Sequence, residues 1–291
     1  MSKQAYEAKI AAIDALRGAM DDNALRKALR EKNNYLVARA AAVAGDLRLT
    51  AFIPDLLAAY DRFFARAAET DKQCWAKIAL ARALRDLEHK EASPFLRGLR
   101  HVQEEGTYGG SVDTAAPLRG ICALALLNTD LLKFELLSAV LPLLRDAEKT
   151  ARVDAVRTLG ALGSAEGALL LRLLVLCGDP EPEVIGECFA ALFGLQGAGA
   201  VEFVAGYLTH RELGVEAAAA LAVAREPAAL AALREAWERP LNREVRRALV
   251  LSLAGSPLPE SAVFLKELAK GHSAEVAGYA RQALADSRFH E

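Results

Sequence analysis

A short helical pattern returns eight times along this chain and constrains its fold more than any other feature: a leading small or apolar residue, a small residue four positions on, and an alanine or leucine at eight. The leads are Leu36, Ala76, Leu118, Ala151, Val184, Leu213, Val245 and Val276. Six units keep the small residue (Ala40, Cys122, Ala155, Cys188, Ala217, Ala280), while Leu80 and Leu249 replace it in the other two. Ala44, Leu84, Leu126, Leu159, Leu192, Leu221, Leu253 and Leu284 complete the stripe, which lies on one face of a 3.6-residue helix. The leads are 40, 42, 33, 33, 29, 32 and 31 residues apart, the period of a stacked helix-pair array rather than of a single globular core.

Composition narrows the class. Only 6% of the 291 residues are aromatic, alanine and leucine dominate, and no Val/Ile/Thr-rich alternating run reads as a strand, so the fold class is all-α. Residues 1–145 hold 21 basic and 18 acidic side chains (+3), and residues 146–291 hold 15 and 20 (−5). That mild asymmetry lacks the basic excess of a general nucleic-acid binder, so nucleic acid is disfavoured as a partner. The opening MSKQAYEAKIAAIDALRG has no charged start followed by an apolar stretch, and the greasiest tract, residues 168–177, is short and carries Arg172. The expectation is therefore a cytoplasmic protein without a membrane partner. Cys74, Cys122, Cys177 and Cys188 form no close pair, which suggests neither a zinc site nor a disulfide framework.

Each unit reads as a leucine-rich outer helix, a turn, and an inner helix carrying the stripe. Outer helices are expected near 53–66, 93–103, 134–147, 166–177, 199–209, 227–238 and 258–270. Pro94 and Pro227 fit first turns, Thr70 with Gln73 has the form of a capping box, and Gly160, Gly163, Gly194 and Gly255 lie near inner-helix ends. Polar residues between Ala5 and Arg30 suggest an end cap, so residues 1–33 are assigned as an N-terminal helical cap and 34–288 as one continuous array. The widest interval holds the glycine-rich stretch 104–113. It lacks the Gly-Lys-Ser/Thr order of a phosphate loop and is expected to be an insertion at a repeat edge, with a partner-contacting loop as the weaker alternative.

With the lead followed by a basic residue in Leu118-Arg119, Ala151-Arg152 and Val245-Arg246, and Lys77 as a variant, the chain resembles the HEAT-repeat family. Its later, shorter units are most similar to the HEAT-like repeats named from phycobilin lyases. The resemblance implies a right-handed α-solenoid of about eight stacked antiparallel helix pairs, a basic residue bridging neighbouring repeats, and second helices lining a partner-binding concave face. Val37, Ile185, Gly214 and Ala277 depart from the basic pattern, so a continuous ladder is not expected.

Three residues beyond the lead, where the inner helix should face outward, stand Asp154, Glu187 and Glu216 in consecutive units, and Arg39 in the first. The carboxylates form an expected docking stripe for basic groups of a protein partner. Because adjacent helices pack about 8–10 Å apart, they are too widely spaced for a two-metal cluster. The ordinary alternative, a solvated face neutralised by Arg152 and Arg157, carries more weight. Arg39, Arg82 and Arg85 make the N-terminal end of the face basic, and Phe189, four residues before Phe193, offers an apolar anchor or plain packing.

Catalysis finds little support. His89, His101, His210, His272 and His290 form no HExxH and no helical histidine–glutamate pair, so the iron-binding HEAT-repeat hydroxylases are not matched; His290-Glu291 is only the chain end. A HEAT-like alkylpurine DNA glycosylase is an alternative, but four residues after Trp75 stands Ala79, not an acid. A prosthetic-group lyase or chaperone is another. The sequence favours a non-catalytic protein-interaction scaffold without a cofactor or metal, for which a monomer is plausible and the partner unspecified. Elemental analysis should accordingly find no stoichiometric metal, and Cys122→Ala and Cys188→Ala should fold with losses below about 1.5 kcal/mol. A tightly bound zinc or iron lost in either variant would contradict this.

Overall fold

A computed structural model describes residues 3–271 and 273–286; His272, His290 and Glu291 lie outside the described residues. Apart from one short hairpin, these residues form stacked antiparallel helix pairs. They divide into two compact units, Met1–Thr158 and Leu159–Glu291.

In the first unit α1 (Lys3–Ala15), α2 (Asp22–Leu29), α3 (Asn34–Asp46), α4 (Ile53–Arg62), the single turn α5 (Ala67–Thr70), α6 (Trp75–Asp86) and α7 (Ser93–Leu99) precede the hairpin. The hairpin is β1 (Glu104–Thr107) and β2 (Gly110–Asp113), and α8 (Ala116–Ala125), α9 (Lys133–Val140) and α10 (Lys149–Leu162) follow, the unit boundary falling within α10. Helices α1, α3, α6 and α8 pack side by side as an inner row, with α2, α4 and α7 behind them. In the second unit come α11 (Ala165–Cys177), α12 (Pro182–Gln196), α13 (Val201–Ala205), α14 (Gly214–Val223), α15 (Pro227–Trp237), α16 (Arg243–Ser252), α17 (Glu260–Ala269) and α18 (Ala274–Asp286). There α12, α14, α16 and α18 pack in sequence as the inner row, backed by α11, α13, α15 and α17.

The stripe explains the packing. All eight lead positions except Val276 are buried, as are the small residues four and the leucines eight beyond them from Leu36 to Leu253. Helix starts follow local chemistry: Asn33 accepts from Leu36 N (3.1 Å), Ser164 from Gly167 N (3.0 Å) and Asn242 from Glu244 N (2.8 Å), each satisfying an otherwise orphan donor. Prolines occupy first turns in α4, α7, α8, α12 and α15.

Three expectations are corrected. Thr70 and Gln73 form no capping box, because Gln73 is left-handed (φ 58°) and the Thr70 hydroxyl donates back to Ala65 O and Arg66 O. Asp71 caps α6 instead, accepting from Ala76 N (2.8 Å) and Lys77 N (3.0 Å). Gly197 (φ 51°), not Gly194, ends α12. Residues 104–113 are a strand pair, Glu105 facing Val112 and Thr107 facing Gly110; left-handed Gly109 (φ 99°) turns the chain in two residues. Among the described residues a second apolar helical run, Pro182–Ala205, is longer than residues 168–177. It is long and apolar enough to cross a membrane by length and composition, but Gly197 interrupts it, and α12 buries Val184, Ile185, Cys188, Phe189 and Leu192 among its neighbours.

The basic residue after each lead has a consistent task. Lys77, completely buried, donates to Phe63 O (3.3 Å), the Asp71 carboxylate (2.9 Å) and Gln103 Oε1 (2.8 Å), so all three ammonium protons are used. Arg119 donates to His101 O (2.9 Å) and Asp113 (2.6 Å), and grips Asp146 with two bonds of 2.7 Å. Burial works against that charge, but Asp146 and Asp113 hold the Arg119 pKa above the ordinary arginine value. Arg152 donates to Asp146 O and Ala147 O (2.9 and 3.0 Å), and Arg246 to Arg239 O (3.2 Å) while lying over the Trp237 ring. In each case the cation reaches the carbonyl end of the preceding outer helix, where the dipole is negative and acceptors are unpaired. Bridging to a neighbouring repeat is the further role of Arg119 through Asp146. Lys77→Ala should cost about 3–5 kcal/mol in urea unfolding, since it strands a buried carboxylate; a loss under about 1 kcal/mol would show the network to be dispensable.

Candidate functional site

The inner-row surface of the second unit holds a shallow groove of about 400 Å³ lined by Gly186, Ala190, Glu216, Ala219, Ala220, Val223, Leu251, Ser252 and Gly255. These belong to α12, α14, α16 and the turn after α16. The repeat itself makes the floor small: Ala190 and Ala219 both stand six beyond their leads, and Ala220 and Ser252 seven beyond. Such side chains keep the depression open, while exposed Val223 and part-buried Leu251 add apolar surface to its lining.

Glu216 is the ionisable group in its wall. Its carboxylate lies against Gly186 on the preceding inner helix, so closely that a Cβ at Gly186 would meet the carboxyl tip, with Glu216 Cδ at 3.2 Å. Burial, and then the like charge of Glu183, raise its pKa above the ordinary glutamate range. No described residue forms an ion pair or hydrogen bond with this carboxylate. Asp154 makes the corresponding contact in the first unit, lying over Gly120 with its Cβ 2.8 Å from where a Gly120 Cβ would stand. Here a substituent would meet both the carboxylate tip and the rigid root of the acid.

The structure treats the other expected site residues differently. Asp154 is mostly covered and pairs with Arg157 at 3.4 Å, leaving Arg157 half-exposed. Glu187 is half-buried on α12. Arg39 is held by Asp14 of α1 (Nε to Oδ1, 3.1 Å), and Arg85 by Asp86 (2.7 and 2.9 Å). Arg82 is exposed and has no ion pair among the described residues. Phe189, read as an apolar anchor or as plain packing, is 0% exposed and packs its ring 5.3 Å from Tyr207, so it fills the unit's core, as the packing alternative has it, and presents nothing to a partner. Register alone hides this division: Asp154 and Glu216 both lie over a glycine of the preceding inner helix, and the presence of Arg157 beside Asp154 separates them.

Nucleophile chemistry is not prepared here. Burial pushes the Cys74 and Cys122 thiols up to about 12 and raises Cys188 as well, which keeps them protonated. Among the described residues no group of three or more His, Cys, Asp or Glu side chains is gathered as a metal site.

No family model matches the chain, and no curated protein does. Among solved structures it is similar to human deoxyhypusine hydroxylase in complex with glycerol, at 21% identity over 86% of this chain and 90% of that one, with a TM-score of 0.33. It is also similar to an engineered protein at 16% identity, over 92% and 96% of the two chains, with a TM-score of 0.27.

Because the folded chain holds the Glu216 proton more tightly than the unfolded chain, stability falls as pH rises from the ordinary glutamate range through the raised value. Glu216→Gln should therefore be more stable than the native chain at neutral pH, with the difference fading below the ordinary glutamate range. Thermal melts across pH 3.5–8 check this, and a variant less stable at pH 7 would show that the carboxylate has a native partner.

Proposed function

We propose that the chain is a non-catalytic scaffold that docks a protein partner on its inner-helix surface, with the groove around Glu216 as the centre of contact. The observation that carries this reading is the half-buried carboxylate, unpaired among the described residues, in an open groove floored by small side chains. A carboxylate costs free energy there unless something completes it, and a lysine or arginine on a partner segment would do so while its apolar neighbours cover the alanine floor. Glu187 extends the acidic side of the same row. Arg39, Arg82, Arg85, Asp154 and Arg157 are assigned to the corresponding surface of the first unit, where they orient more than they bind. The short intervals near 31 residues support placing the later repeats with the short HEAT-like type, and the cytoplasm is the proposed site of action.

The glycosylase alternative is not preferred, because Ala79 stands where the acid would be needed. Reversing Asp154, Glu187 and Glu216 to lysine should leave helicity intact and reduce affinity for the captured partner at least tenfold. A control reversing Glu7, Glu202 and Glu235 should leave affinity within about twofold. Equal loss in both proteins would mean that net charge alone governs binding, and no loss in the triple variant would overturn the docking role.

A further inference from the structure

The inner row of the first unit carries a feature that the groove does not use. Tyr6 on α1, Tyr35 on α3 and Trp75 on α6 form an aromatic ledge, with ring centroids 6.4 Å apart at 41° and 5.5 Å apart at 63°. Trp75 is 45% exposed, and both tyrosines are half-buried. The core does not hold this indole in place; the backbone does. Two successive left-handed residues, Gln73 (φ 58°) and Cys74 (φ 55°), precede it. Gln73 N–H is tied to Glu105 Oε1 at 2.6 Å, and the Asp71 carboxylate accepts from the two amides after Trp75, those of Ala76 and Lys77.

The polar edges of the ledge are donors. Neither Trp75 Nε1 nor the Tyr6 hydroxyl has a hydrogen-bond partner among the described residues. The Tyr35 hydroxyl lies beside the Arg39 guanidinium, a group that only donates, so the phenolic proton remains available. Flat apolar faces edged by donors suit a ligand with stiff apolar rings and free carbonyls but few N–H groups. A polyproline II segment has those properties.

Charge selects among such segments. Arg82 stands seven residues after Trp75, on the same face of α6, exposed and unpaired among the described residues. The acids nearby are occupied, Asp14 by Arg17 and Arg39 and Asp86 by Arg85. We propose that the Tyr6–Tyr35–Trp75 ledge docks a proline-rich segment of a partner protein in the polyproline II conformation, with an acidic residue beside Arg82. This goes beyond the groove reading, since ledge and groove lie in different units.

The test uses the full chain with Trp237→Phe, so that Trp75 is the sole indole, titrated with a peptide of eight prolines followed by two aspartates. A saturable shift in Trp75 emission is expected. Calorimetry should show at least tenfold weaker binding for Trp75→Ala, or for Trp75→Leu if the alanine variant melts early, and a few-fold weakening for Tyr35→Phe, which keeps the ring and loses the donor. Arg82→Glu should weaken the aspartate peptide and spare plain octaproline. Glu216→Gln should leave this binding unchanged, which separates failure here from failure of the groove reading. Absence of saturable binding, equal binding of a glycine–serine peptide, tighter binding of oligothymidylate, or indifference to both Trp75 variants would overturn the proposal.

Discussion

The contact on which the rest depends is the one between the cation after the lead and the carbonyl end of the preceding outer helix. A helix ends with acceptors that nothing inside it satisfies, and with the negative end of its dipole. Lys77, Arg119, Arg152 and Arg246 each carry a positive charge to that place from the inner helix. One side chain thereby fixes the angle and register of a helix pair that apolar packing alone would leave free to slide. Where the pattern departs, Val37 and Ile185 are fully buried and pack instead, so the position is interior except at Arg246, which is part-buried.

Fixing the pair determines what the inner row shows to its surroundings. The stripe of small residues and leucines is consumed between helices, leaving glycines, alanines and a few carboxylates on the outer side of that row. Glycine then has a second effect, because Gly120 and Gly186 let the acid of the next inner helix lie directly on the backbone. That contact turns a carboxylate expected to be solvated into a partly desolvated one. It is the reason Glu216 differs electrostatically from an ordinary surface glutamate. The buried network around Lys77 has a similar outward consequence: it anchors the hairpin through Gln103 and Glu105 and holds the strained entry to Trp75.

Helix pairs, their approximate limits and the buried stripe were legible in the sequence, because 3.6-residue periodicity and proline punctuation are local signals. The hairpin was not, since four-residue strands rich in glycine lack the alternation that marks a strand; Gly109 in a two-residue turn was the available hint. Asp71 was missed as the cap of α6 because it acts across two left-handed residues, which no capping rule in register can anticipate. For Phe189 the sequence left anchor and packing both open, because helical spacing gives the face of a residue but not how far its neighbours extend over it. The acidic positions were found by register, yet register shows neither the glycines beneath Asp154 and Glu216 nor the arginine that pairs with Asp154.

The central claim, that the second unit's groove is a protein docking surface, is tested most directly by site-specific photo-crosslinking in the native cell. A photoreactive amino acid in place of Ala219 should yield one predominant protein adduct, lost when Glu216 is changed to lysine. The same group in place of the exposed Leu169 on α11 should not yield that adduct. Identical adducts from both positions, or an Ala219 adduct indifferent to Glu216, would contradict the account.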